Sequence, residues 1–486
     1  MGIGRAIGQD KGTGIVQPRQ RIRLVSILPA LALAGCATTT LPPQDAGISV
    51  PQDWAESSLA PVSIDLAQYW TMLGDPLLSG FVEQAITQNL DLAQSAARLG
   101  QARAQLASAR AGYFPQVNAS AGVQRDVGDF AQDGLQYSLG ADASWEADLF
   151  GRISGNVAAS RADLAAAGYS LADLQRLIVG QVALTTIQAR ATAAQLAIAR
   201  DTLAYQDENL QIARWRNQAG LVSSLDVEQA RSQRAATAAS VPLLESNLAA
   251  SANAISTLIG EPPGRVLTLL EGSEFVPVPP VLAGFETPAE VLRRRPDVRG
   301  AEANLVAASA RVGVARAQLF PLVRLTGNIG TGSIGLSDLF DVITGGLFAG
   351  VGQLLFDGGR TRAQIEGAEA AAEGTLAAWR QQILAALEEV ETAAVDLRSA
   401  RQRVAIQGEA LDASGNAALL ARSQYQAGLT DFRTLLSAEN ALLSARNGEV
   451  AAQAERASAF VRLTQALGGG WSPADPLVFS PSDAQP

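Results

Sequence analysis

A chain of 486 residues with no histidine and a single cysteine cannot assemble the usual zinc, copper or nucleophile–base constellations, and it can form no intrachain disulfide. Its formal net charge is −10. Arg5, Lys11, Arg19, Arg21 and Arg23 against Asp10 put +4 into residues 1–35, so the remainder carries about −14, which argues against a nucleic-acid partner. Lys11 is the only lysine, so every later cation is arginine.

Arg19, Arg21 and Arg23 precede an apolar run from Leu24 to Ala34 that closes on Leu33-Ala34-Gly35-Cys36. A basic stretch, a short apolar stretch and small residues before a cut mark an export signal over residues 1–35. The apolar run is too short to span a bilayer, which needs roughly 20 residues. The stretch before Arg19 is long for such a signal and points to a start codon downstream of Met1. The placement of Cys36 resembles a bacterial lipoprotein lipobox. That resemblance implies that Cys36 becomes the acylated first residue of the mature chain, a covalent lipid and no other cofactor. With Ala37 rather than Asp behind it, it also implies sorting to the outer membrane. The alternative is ordinary cleavage that leaves a free thiol.

Residues 36–76 lack periodicity and read as an extended tether, with Trp54, Tyr69 and Trp70 anchoring it to a folded body. Helical spacing then runs from Leu77 to Asn89 and from Leu92 through Leu99 and Leu106 to Arg110. After Phe114-Pro115 the period changes to two. A strand is expected at about 115–126, and a cleaner one at about 135–149. There Leu135, Tyr137, Leu139, Ala141, Ala143, Trp145, Ala147 and Leu149 alternate with polar or glycine residues that include Asp142, Glu146 and Asp148. About 9 to 11 residues of such a strand cross a bilayer. A half-buried soluble hairpin would show the same alternation.

Residues 152–219 then run without proline and rich in Ala, Leu, Gln and Arg, the length of a helix of roughly 100 Å. Leu164, Leu171 and Ile178, with Leu174 and Leu177 beside them, have coiled-coil-like spacing. The run stops at Ala219-Gly220, and Ser223-Ser224-Leu225-Asp226 fits a capping box opening a return helix to Ile259.

The chain then repeats itself. Phe114 maps to Phe320 and Phe150 to Phe356, both 206 residues on, while Gly220 maps to Gly428 and Gly260 to Gly468, 208 residues on. One two-residue shift near Gly358 reconciles every pair, so the chain is a tandem duplication. The first repeat is expected over 77–260 with its long helix hairpin at 152–259. A linker follows over 261–287. The second repeat covers 288–468, with strands at about 321–331 and 346–356 and a hairpin at 360–467, and a polar tail fills 469–486.

The motifs Arg294-Arg295-Pro296-Asp297-Val298, Gly313-Val314-Ala315-Arg316-Ala317-Gln318-Leu319-Phe320-Pro321 and Leu355-Phe356-Asp357-Gly358-Gly359-Arg360, with the two Ala-Gly-Leu turns, resemble the TolC-type outer-membrane factors, lipoprotein branch. The similarity runs from about Tyr69 to Trp471. It implies a mixed α and transmembrane β fold: four barrel strands per chain plus long antiparallel helices, three chains closing a 12-strand barrel continuous with a periplasmic helical barrel. Independently, four strands cannot close a barrel alone and leave exposed edges.

The resemblance implies a periplasmic gate at the helix turns, with Asp226 and Tyr425 holding neighbouring helix pairs together. The positions where the family often has constricting aspartates read Thr434 and Ser437 here, so a constriction would draw on Asp431, Leu435 or Leu436. Asp226 is equally well placed as a helix cap. For Asp142, Glu146 and Asp148 the readings are a cation-favouring lumen or a wetted polar face. The leading function is a passive exit duct for drugs or other small amphiphiles. Its implied partners are a periplasmic adaptor, an inner-membrane proton-driven transporter and outer-membrane lipid. The alternatives are the conduit of a type I protein secretion system and a non-pore coiled-coil lipoprotein. An enzyme is not expected, because no polar residues converge with a base and a nucleophile.

Overall fold

The structure, a computed structural model, describes residues 46–55, 66–129, 134–272, 275–281, 284 and 286–472. The expected signal segment and Cys36 lie outside them. The first repeat contains α1 (Pro76–Gln88), α2 (Leu90–Ala111), β1 (Gln116–Gln124), β2 (Gln136–Ala147), α3 (Arg152–Gln218) and α4 (Ser224–Leu258). Two short helices, α5 (Arg265–Leu270) and α6 (Pro288–Arg294), lead on. The second repeat contains α7 (Pro296–Ala317), β3 (Leu322–Ser333), β4 (Ile343–Gly352), α8 (Arg360–Gln426) and α9 (Phe432–Ala466).

The duplication is carried through element by element. α2 and α7 are each 22 residues, α3 and α8 each 67, and α4 and α9 each 35. The extra pair is Asp357-Gly358. In the first repeat Asp148, at the end of β2, caps the start of α3 by accepting from Ile153 N at 3.0 Å and Ser154 N at 2.7 Å. In the second, Asp357 accepts from Gly359 N at 3.0 Å and Thr361 N at 2.8 Å at the start of α8. Both copies thus satisfy the orphan amides of a long helix with a carboxylate, one drawn from the strand end and one from the insertion.

This capping also corrects the expected strand ends. β2 stops at Ala147 because Asp148 has turned toward the helix, although the alternation in the sequence continues through Leu149. β4 covers Ile343–Gly352 rather than 346–356. Leu354, Leu355 and Phe356 form an exposed connection leading to the cap at Asp357.

The four strands make one antiparallel sheet in the order β1-β2-β3-β4, so β1 and β4 are free edges. Tyr137 pairs with Val123 and Ser333, Ala141 with Ala119 and Ile329, and Trp145 with Leu325, which pairs with Ala349. One face is therefore mainly apolar. The other carries Asn118, Asp142, Glu146, Arg324, Thr326 and Asn328. At the helix end Trp145 Nε1 donates to Tyr113 O at 2.9 Å and ties the sheet to the end of α2.

The main core lies where both repeats meet around the first half of α3. Leu92, Leu99 and Leu106 of α2, Leu164, Leu171 and Ile178 of α3, Ile255 of α4 and Phe460 of α9 are all buried there. Leu177 does not join that seam; it is 48% exposed, on the other flank of α3 from Ile178. Trp54, Tyr69 and Trp70 are buried in the same core, and Trp54 Nε1 donates to Glu286 O at 2.8 Å. Burial pushes the Tyr69 hydroxyl pKa well up, with the Arg176 charge working against that.

The most deeply buried charges of this region are paired. Arg190 donates to both oxygens of Asp75 at 3.0 and 3.1 Å, and the same carboxylate caps α1 through Leu77 N and Leu78 N. Arg295, fully buried, binds Asp297, Glu389 and the Ala466 carbonyl at the end of α9. Burial works against the Asp297 charge, but the hydrogen bonds and charge of Arg295 outweigh it and hold that carboxyl below the usual range.

Candidate functional site

Both long helices stop in the same way. Gly220 and Gly428 take φ of +70° and +72°, and Leu221 N and Leu429 N reach back to Arg216 O and Gln424 O at 2.9 and 2.8 Å. This is a Schellman turn, which needs a left-handed residue after the last helical turn, and only glycine adopts that conformation without strain. The chain reverses and caps again. Ser223 caps α4 in a box with Asp226, whose Oδ2 accepts from Ser223 N at 3.0 Å and Ser223 Oγ at 3.1 Å. Asp431 caps α9, accepting from Thr434 N at 2.8 Å and Thr434 Oγ1 at 2.5 Å. The bonds from Thr434 hold the Asp431 carboxyl below its ordinary pKa.

Behind the turns sits a small separate core of Leu210, Ala213, Ala230, Ala421, Tyr425, Phe432 and Leu435. This placement sorts the residues expected at the gate. Leu435, 1% exposed, points into the protomer's own packing. Thr434 and Ser437 are exposed and Leu436 is half-buried. Asp226 is half-buried and engaged with Ser223, while the buried Tyr425 hydroxyl has no hydrogen-bond partner among the described residues. The structure brings Tyr425 and Phe432 together at 5.6 Å between ring centroids, but shows no bond between Tyr425 and Asp226.

What joins the two hairpins here is a residue that the sequence reading passed over. Arg216, in the last turn of α3, lies 4.4 Å from the centroid of the Tyr425 ring and donates to Tyr425 O at 3.3 Å and Gln426 O at 3.4 Å. A cation one turn before a glycine stop fits the negative end of its own helix, which is the signal that was available. A second tie lies one level up. Asn209 Nδ2 donates to Glu439 at 2.8 and 3.0 Å, and Arg422 Nη2 donates to the same carboxylate at 3.2 Å.

On the sheet's polar face the three acidic residues separate. Asp142 is exposed, accepts from Asn118 Nδ2 at 3.2 Å and has no cation partner among the described residues. Glu146 is paired with Arg152, with Nε 2.6 Å from Oε1, and Asp148 is the α3 cap already described. Among the described residues no group of acidic, histidine or cysteine side chains is arranged to hold a metal ion. Among the described residues no helix is long and apolar enough to cross a membrane.

An amphipathic sheet with open edges, running through carboxylate-capped joints into two duplicated helix hairpins, defines a segment of a β-and-α duct. The family profile for the outer membrane efflux proteins matches residues 81–261 and 287–469, and the chain belongs to that family. The chain is 31% identical over 460 residues to the pyoverdine export outer membrane protein OpmQ of Pseudomonas aeruginosa, covering 92% of this chain and 97% of that protein. It is 28% identical to nodulation protein T of Rhizobium leguminosarum bv. trifolii, covering 91% and 96%. The solved structure of the outer-membrane channel OprN superposes with a TM-score of 0.83 at 33% identity, covering 90% of this chain and 100% of that one. The chain is an outer-membrane efflux channel protein.

Proposed function

We propose that three copies of this chain close one duct, a 12-strand barrel in the outer membrane that continues as a helical barrel in the periplasm. The observation that carries this reading is the four-stranded sheet whose edge strands β1 and β4 have no further partner among the described residues. Four strands cannot close on themselves, and an open two-faced sheet with an apolar side is stable only when its edges are paired and that side meets lipid. In this reading Cys36 is acylated and anchors the tether from residue 36 onward. The helix turns around Gly220 and Gly428 form the periplasmic gate and dock a periplasmic adaptor that links to an inner-membrane, proton-driven transporter.

The cargo follows from the pump rather than from the duct. Relatives are named for pyoverdine export, toluene efflux and cation efflux. Cargoes so different share no single recognition chemistry, so one duct fold serves many of them. Drugs or other small amphiphiles are the proposed cargo here. The test is single-channel recording of the purified, acylated protein in a planar bilayer, alongside chemical crosslinking to count subunits. A crosslinked trimer with a small or flickering conductance is expected. A stable trimer that conducts in neither the wild type nor an Asp226→Ala variant would overturn the duct reading in favour of a coiled-coil structural lipoprotein.

A further inference from the structure

The sheet register puts one aromatic ring on the polar face. The ladder places Phe348 of β4 opposite Thr326 of β3, and Thr326 opposite Ser144 of β2. Apart from Leu322 at the helix end of β3, the other residues facing that way are polar or glycine. Phe348 is 67% exposed and belongs to none of the buried clusters. A large apolar side chain in that position contributes little to the fold.

The ring lies over glycine rather than over side chains. At Gly350, two residues on and on the same face, an added Cβ would lie 2.7 Å from Phe348 Cε1 and 3.3 Å from its Cζ, so a side chain there would push the exposed ring aside. At Gly346, two residues before, a Cβ would sit 3.1 Å from Asn328 Oδ1. The ring thus lies along a glycine lane with much of its surface open.

The duplication supplies the second half of the argument. The offset of 206 that relates Phe150 to Phe356 relates Asp142 to Phe348. The two hairpins therefore present, at matching places on one face, a carboxylate without a cation partner among the described residues and an open phenyl ring. A carboxylate attracts positive charge, and the face of an aromatic ring attracts both organic cations and other aromatic rings.

We propose that Phe348 and Asp142 form a subsite in the lumen for aromatic or amphiphilic organic cations, three rings alternating with three carboxylates around the duct. This rests on the closed-barrel reading above. A barrel of 12 strands is wider than the eight-strand case that side chains fill, so a lumen remains for such a ligand.

The test uses the full trimer in a planar bilayer with tetraphenylphosphonium as the probe, reading potassium conductance and its block. Phe348→Leu keeps an apolar side chain and removes the ring. It is expected to weaken the block about two- to fivefold, the range of a partly exposed cation–aromatic contact. Phe348→Trp, with a stronger π face, is expected to hold or tighten it, and Asp142→Asn to weaken it. Block unchanged in Phe348→Leu would overturn the subsite while leaving the duct intact. If Phe348→Leu fails to give a trimer, a weaker block in Phe348→Trp would overturn it instead. Absence of potassium conductance in a trimeric wild type would overturn the duct reading, and the subsite with it.

Discussion

Replacing Arg216 by alanine removes a cation that spans from the first hairpin to the closing turn of the second. Its guanidinium lies 4.4 Å from the Tyr425 centroid and donates to the Tyr425 and Gln426 carbonyls. A half-exposed stacked cation contributes about 0.5–1 kcal/mol. The hydrogen bonds to the helix-end carbonyls add about 0.5–1.5 kcal/mol net, since water replaces part of what is lost. The sum, about 1–2.5 kcal/mol per protomer, is roughly a five- to seventyfold fall in the ratio of closed to open arrangements, and more if three turns move together. Planar-bilayer recording should show a raised open probability in Arg216→Ala. Arg216→Lys should fall in between, because lysine keeps the charge but loses the planar stack. A double-mutant cycle with Tyr425→Leu should give a coupling of the same size. If Arg216→Ala forms an intact trimer whose open probability matches the wild type, the tie at this turn does not hold the gate and the reasoning fails.

Other changes separate roles that the structure has brought close together. Asp226→Glu preserves the capping box with Ser223 and should conduct as wild type, whereas Asp226→Ala loses a cap of about 1 kcal/mol and should open more; equal opening in both would assign Asp226 a contact other than the cap. Asp142→Asn should lower the cation preference read from reversal potentials in a salt gradient. Glu146→Gln should change it less, because Glu146 is already neutralised by Arg152; the reverse order would refute that pairing as the cause. The contribution of Asp297 to stability is fully present above the ordinary aspartate value of about 3.9 and is lost as pH falls through the lower folded value, so melting should drop on acidification below about pH 4. Asp297→Asn should be less stable at pH 6 and flatter across the acid range, and an acid limb as steep as the wild type's would place the titration elsewhere.

Periodicity and punctuation carried much of this architecture. The alternation around Tyr137 to Ala147 marked the two faces of β2, the glycines at 220 and 428 marked the helix stops, and the repeat offsets located the two-residue insertion before α8. What the sequence hid depends on which surfaces meet. Alternation continues through Asp148 and Leu149 although the backbone has turned to cap α3, because a period in sequence reports side-chain type and not backbone direction. Leu435 and Leu436 read alike as neighbours, yet one is 1% exposed and the other half-buried, a difference set by the packing of Tyr425 and Phe432. Arg216 could not be matched to its partner by any local rule, since the contact spans 209 positions.

The duplication also shows what the isolated chain lacks. On α3, the stripe through Arg176 and Gly180 meets α9: Gln465 Nε2 donates to Arg176 O at 2.9 Å and fills the space a side chain at Gly180 would need. Ile187, 11 residues or about three turns beyond Arg176, is fully buried. The same stripe on α8, at the repeat offset of 208, carries Leu384 and Val395, which are 51% and 38% exposed. Twin helices thus bury this face in one copy and leave it bare in the other. The partner that covers it on α3 is a return helix, α9, whose twin is α4. Repeating the contact therefore calls for the α4 of another copy, just as closing the sheet calls for a neighbouring β1 beside β4. Both ends of the molecule are thus completed by neighbouring copies, which a closed ring of subunits supplies.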